Sequence, residues 1–244
     1  TTTPKLTQIM DNLHANYFAA LFPSRKWMRW EGDDADASSL DKTSIVESYL
    51  YHKMSKSKFV NTVSDLIYDF IQYGNCFSRV EHVVDTYTDK NGDVKITYVG
   101  PRLIRISPYD IVFNPTADKF ENTPKIIRSI KTLGEIKQII DENSGEEYKQ
   151  VFERILDNRS KVASASKVDK TEGFVADGFS DINHYYGSNY VEVLTFYGDM
   201  YDTDSGKFLS NRVITVIDRA YVIENRPGES WYGNEPIFHA GWRD

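Results

Sequence analysis

Apolar residues recur three and four positions apart through the first third of this chain and at every second position through most of the rest. Leu6, Ile9, Met10, Leu13, Tyr17 and Leu21 form one stripe of an amphipathic helix. Thr3-Pro4 supplies a cap followed by proline at the first helical position, and Pro23 stops the helix. Trp27-Met28-Arg29-Trp30, followed by acidic Glu31, Asp33, Asp34 and Asp36, reads as a loop. A second helical region is predicted from about 41 to 73, with Ile45, Tyr49, Val63, Leu66, Ile67, Phe70 and Ile71 carrying the period. The polar stretch Lys53 to Lys58 divides it into two helices. Gly74 stands where a helix end needs positive φ.

From Cys76 the period is two. A strand to Thr88, a turn over Asp89-Lys90-Asn91-Gly92-Asp93 and a return over Lys95–Val99 make a hairpin. Pro101 is expected to interrupt the return, leaving Leu103–Ile106 as a separate strand. Ser107-Pro108-Tyr109-Asp110 turns, Ile111–Phe113 is apolar, and Lys125–Ile130 is a further strand. Thr132 and Glu135 have capping-box spacing before a short helix bearing Ile136, Ile139 and Ile140. Glu146–Asn158 is a second helix, with Tyr148, Val151, Phe152 and Ile155 on one face. Ser160–Asn189, rich in small and polar residues, is expected to be a flexible excursion and a boundary between subdomains. Strands follow at Tyr190–Met200, Arg212–Ile217 and Tyr221–Glu224. In the first, Val191, Val193 and Thr195 share one face and Glu192, Leu194 and Phe196 the other. Pro227–Pro236 reads as a loop and Ile237–Trp242 as an apolar tail. The fold class is α+β: N-terminal amphipathic helices, then antiparallel hairpins and short helices. Four parts are expected: 1–75 helical, 76–159 mixed, 160–189 excursion, 190–244 antiparallel β.

The chain has 244 residues, 40% of them hydrophobic and 14% aromatic, enough for a substantial core. Lys and Arg number 29 against 36 Asp and Glu, a net charge of −7. That balance argues against a general nucleic-acid coat, which needs a basic surface, and suits a protein that DNA passes without being held. The single cysteine, Cys76, excludes an intrachain disulfide and a cysteine-rich zinc site. Its presence alone points to a reducing compartment. No apolar run approaches the roughly 20 residues of a membrane span, and no membrane partner is expected. The opening at Thr1 without methionine fits a processed or excised fragment.

Chemistry is sparse. There is no phosphate-binding glycine loop, dinucleotide fingerprint, nucleophile elbow or zinc-protease histidine pair. His14, His52, His82, His184 and His239 have no metal-ligand spacing. Asp202, Asp204 and Gly206 suggest a calcium loop, but Val213 stands where the twelfth-position glutamate belongs; the Asp33 cluster fails likewise at Ile45. No catalytic residue, cofactor or metal is expected. Trp27, Arg29 and Trp30 have the residue types that stack on bases, and Lys53, Lys56 and Lys58 those that touch phosphate. Packing and a solvated helix face account for them as well.

Several segments, in order, resemble a known family. Thr2–Leu6 with Asp11–Tyr17 and Leu21-Phe22-Pro23, then Ile106–Pro115, then Val191–Asp199 and Ile237–Arg243, are similar to the wing of bacteriophage portal proteins of the podovirus and crAss-like type. The resemblance implies a head–tail connector: a homododecamer ring at the capsid vertex. Through it genomic double-stranded DNA enters and leaves, and capsid and scaffold proteins, terminase and tail adaptor proteins attach to it. Such a protein is assembled in the host bacterial cytoplasm, resides in the virion and catalyses no bond change. The resemblance covers the wing only, without stem or clip. Leu13, Tyr17, Trp27 and Trp30 are the expected packing or intersubunit contacts. The alternatives are a head–tail adaptor or other protein-binding module, and an unfamiliar enzyme using carboxylates near His239.

Overall fold

The computed structural model describes residues 5–24, 26–30, 37–90, 92–117, 119–142, 146–164, 189–203, 206–228 and 235–241. The fold is α+β: three N-terminal helices precede antiparallel hairpin sheets, with two further helices between β-strands of the second sheet. The chain forms two compact units, one of Thr1–Tyr109 with Pro236–Asp244 and one of Asp110–Glu235. The division therefore falls at Tyr109/Asp110 and Glu235/Pro236, and differs from the four-part order expected. Most of the Ser160–Asn189 stretch (165–188) lies outside the described residues, as do the Thr3-Pro4 cap and His184.

In the first unit α1 spans Lys5–Leu21, α2 Ala37–Lys56 and α3 Phe59–Tyr73. The break between α2 and α3 falls inside the polar stretch, where Lys58 takes φ 57°. Gly74 (φ 72°) donates its N–H to Phe70 O at 2.9 Å, closing α3 as a left-handed C-terminal residue should. Strand β1 (Asn75–Thr88) then runs into β2 (Val94–Ile106) through a turn at Asp89–Asp93 with Gly92 at φ 88°.

Pro101 does not interrupt β2. It pairs with His82 inside one continuous strand. The sheet order is β2-β1-β8, so β2 is an edge, where a missing N–H costs no ladder bond on the open side. The predicted apolar tail is also corrected: Ile237–Gly241 is a strand, β8, antiparallel to Asn75–Arg79 of β1. Leu66 and Ile67 of α3 are buried in this unit, as are Phe77, Tyr98, Ile106 and Ile237 of the sheet.

The second unit is one antiparallel sheet, ordered β3-β4-β5-β6-β7, with helices on one face. Its strands are β3 (Ile111–Phe113), β4 (Lys125–Thr132), β5 (Tyr190–Asp202), β6 (Lys207–Ile217) and β7 (Tyr221–Pro227). Between β4 and β5 lie α4 (Leu133–Glu142) and α5 (Glu146–Ser164). The capping box forms: Glu135 N–H donates to Thr132 Oγ1 at 3.3 Å, and Thr132 N–H donates to Glu135 Oε2 at 2.6 Å. Ile136, Ile140 and Ile155 meet Val191, Val193, Ile217 and Ile223 in a fully buried core. Val191 and Val193, which the period-two reading of β5 placed on one face, both point into this core. Asp218 and Arg219, both at positive φ, make the turn from β6 to β7.

Candidate functional site

Side chains of the first unit gather around the loop that follows α1. Phe22 N–H makes the last helical bond, to Phe18 O at 2.9 Å, and Pro23 prevents another turn. The loop brings Trp27 flat against Phe59 at the start of α3, with ring centroids 5.8 Å apart and planes 3° apart. Phe22 and Tyr51 meet the same indole edge-on at 5.0 and 6.4 Å. Tyr51 of α2 straps the loop down, its hydroxyl accepting Met28 N–H at 2.6 Å and donating to Met28 O. Trp30 N–H donates to Glu47 Oε1 at 2.9 Å. A groove of about 830 Å³ opens beside this cluster, bounded by Lys26, Trp27, Glu47, Tyr51, Lys58 and Phe59. Ser44, Ser48, His52 and Ser55 also border it, so its lining mixes aromatic, cationic and polar side chains.

The four expected contact residues separate into two kinds. Trp27 packs within its own chain, as above. Tyr17 is half-buried, edge-to-face with Phe70 at 5.9 Å, and Leu13 is half-buried on the same helix. Trp30 keeps 47% of its surface exposed. The stripe read for α1 is only partly used. Leu6, Ile9 and Leu21 are exposed, while His14 stacks on Tyr68 at 3.9 Å and bonds Ser64 Oγ at 2.9 Å. Lys53 is not held for phosphate: its ammonium donates to Val99 O and sits 5.5 Å over the Tyr98 ring. His239 stacks on Phe77 at 4.9 Å with Nε2 2.9 Å from Asn75 Oδ1. Among the described residues, no group of three or more His, Cys, Asp or Glu is placed to hold a metal ion. No described helix is long and apolar enough to cross a membrane.

Buried charge in the second unit escaped the sequence reading. Arg159 on α5 and Asp218 in the β6–β7 turn are each 4% exposed at the side chain. Arg159 Nη1 donates to Asp218 Oδ2 and Oδ1 at 2.8 and 3.0 Å, and Nη2 to Tyr190 O at 2.7 Å. Glu192, on the face of β5 opposite Val191 and Val193, is fully buried and receives Arg219 Nε at 2.8 Å. One signal was available: Arg159 follows Ile155 by four positions, which puts it on the buried face of α5. Lys125 is buried too, donating to Thr123 O at 2.8 Å and Glu121 O at 3.1 Å; burial pulls its ammonium below the usual lysine range.

Apolar exposure is the other feature of the surface. On the second sheet Val112 is 66% exposed and pairs across the strands with Ile126, itself exposed, and Ile130 is exposed on β4. No protein-family model matches this chain, and no curated protein matches it.

Proposed function

We propose that this chain is the wing portion of a bacteriophage portal protein, a structural subunit of the DNA-packaging vertex. The observation that supports it best is exposed apolar surface in both units: Leu6 and Ile9 on α1, and Val112, Ile126 and Ile130 on the second sheet. Isolated exposed apolar side chains are ordinary, but rows of them on regular elements mark surfaces that assembly covers. A ring needs two different surfaces per subunit, each meeting the other on the next copy. The segments that resemble portal wings fall on α1, on the turn before β3, on β5 and on β8, and so reach both units. The acidic balance of the chain agrees with a wall that DNA slides past.

The test is electron microscopy of the full-length gene product, with native mass spectrometry on the same sample. Closed rings of about a dozen subunits around a channel are expected. A monomer or dimer at every concentration overturns the proposal. The groove beside Trp27 favours a second reading, a protein-binding adaptor of the virion. A stable one-to-one complex with another virion protein, in the absence of rings, would put that reading first.

A further inference from the structure

The groove beside Trp27 carries cations without their complement. Lys26 borders it from the loop after α1 and Lys58 from the corner between α2 and α3, and both are exposed. Neither has an ion-pair partner among the described residues, although in the same unit Arg79, Lys95, Arg102 and Arg105 each hold a carboxylate. The one carboxylate on the lining, Glu47, is already engaged, its Oε1 accepting Trp30 N–H at 2.9 Å. A single exposed lysine without a partner is ordinary. Two that border one aromatic groove form a charge pattern, and in a chain of net −7 they are not part of a general basic surface.

Lys58 also holds a backbone that does not suit it. Its φ of 57° and ψ of 33° are left-handed, a region that glycine or asparagine enters at less cost than lysine. Such torsions persist where another demand holds the residue, and they gather at binding sites. The aromatic wall is fixed before any partner arrives. Trp27 lies flat on Phe59, and the Tyr51 hydroxyl bonds both the N–H and the C=O of Met28. A wall already in place loses little freedom on binding. Ser44, Ser48 and Ser55 follow the α2 side of the groove. From Ser44 to Ser55 the helix rises about 16 Å, which roughly five residues of extended chain would span.

We infer that this groove binds an acidic peptide segment of a partner protein, with carboxylates toward Lys26 and Lys58 and an apolar side chain against the stacked Trp27 and Phe59. The inference rests on the groove alone and goes beyond the ring reading. Length favours a segment over a small anion, which would occupy only one end. Nucleic acid is disfavoured, because two amines neutralise too few phosphates and the chain around them is acidic. The net charge does not keep an acidic segment away. Beyond about 10 Å exposed charges are largely screened at roughly 0.1 M salt, so the two near amines outweigh distant carboxylates.

Fluorescence polarisation with the 244-residue chain tests this. The probes are the rhodamine-labelled peptide Asp-Glu-Phe-Asp-Glu and its uncharged counterpart Asn-Gln-Phe-Asn-Gln. The acidic peptide should bind saturably, roughly tenfold tighter than the neutral one, and more weakly as salt rises. Lys26→Ala and Lys58→Asn should each weaken binding roughly two- to fivefold, while Lys137→Ala, exposed on α4, should leave it unchanged. Lys58→Asn separates binding from structure: asparagine accepts the left-handed backbone, so the melting temperature should hold or rise while binding weakens. No binding by the wild type, equal affinity for the two peptides, or an equal loss in Lys137→Ala would overturn the inference and leave the ring reading untouched. Binding that appears only after Glu31, Asp33, Asp34 and Asp36 are replaced by their amides would overturn it too, since the chain's own acidic run would then be the occupant.

Discussion

Replacing Arg159 with methionine tests whether the buried ion pair holds the second unit together. The substitution keeps most of the aliphatic stem and removes the guanidinium. Among the described residues, it removes two hydrogen bonds to the Asp218 carboxylate, at 2.8 and 3.0 Å, and one to Tyr190 O at 2.7 Å. With both side chains only 4% exposed, solvent does not replace the lost partner. Removing one member of a buried pair costs about 3–5 kcal/mol, most of it the uncompensated charge left behind. Urea unfolding followed by far-UV circular dichroism should show the midpoint falling by roughly 2 M at unchanged slope. Arg159→Met with Asp218→Asn removes the stranded charge while asparagine still accepts the left-handed backbone at φ 48°. The double variant should regain at least half of the loss. A single variant less than about 1 kcal/mol below wild type, or a double variant no better than the single, would refute the reasoning.

Trp27→Ala should destabilise the first unit by about 2–3 kcal/mol in thermal or urea unfolding, because it removes a stack and two edge contacts; Trp30→Ala, on an exposed ring, should change stability by less than about 0.5 kcal/mol. Thr132→Ala should cost about 1 kcal/mol by opening the N-terminus of α4. The Thr132 N–H and hydroxyl hold the Glu135 carboxyl below its usual range, so its contribution is complete above the unfolded pKa and is lost as pH falls through the lower folded value. Glu135→Gln should flatten that part of an acid unfolding curve. Burial, and secondarily the charge of Asp69, pushes the Cys76 thiol up. Alkylation by iodoacetamide near pH 8 should therefore run well below the rate of a free cysteine and rise on denaturation; equal rates would contradict the burial.

Much of the local structure was legible in the residue order. The break between α2 and α3, the end of α3 at Gly74, the hairpin at Gly92 and the box of Thr132 and Glu135 all depend on groups within a few positions of one another. The alternation along β5 put Val191 and Val193 on one shared face, which is the face the helices cover. Of the candidate contact residues, Trp27 was recognisable as an aromatic anchor in a loop, but its partner Phe59 lies beyond the whole of α2.

What the sequence could not settle is which surface covers which. Periodicity states that one side of an element is apolar; it does not say whether anything lies against it. Leu6 and Ile9 belong to the stripe of α1 yet remain exposed, while Glu192 lies between two valines and is buried because Arg219 reaches its carboxylate. Ile237–Gly241 became a strand only because β1, more than 150 positions earlier, offered an open edge for it. Pro101 stayed in a strand only because that strand ended up outermost. By itself the sequence determined the local elements and their apolar sides, since backbone torsions and side-chain spacing are short-range properties. The tertiary structure alone decided neighbours, edges and the burial of charge, since these depend on segments that meet only after the chain has folded.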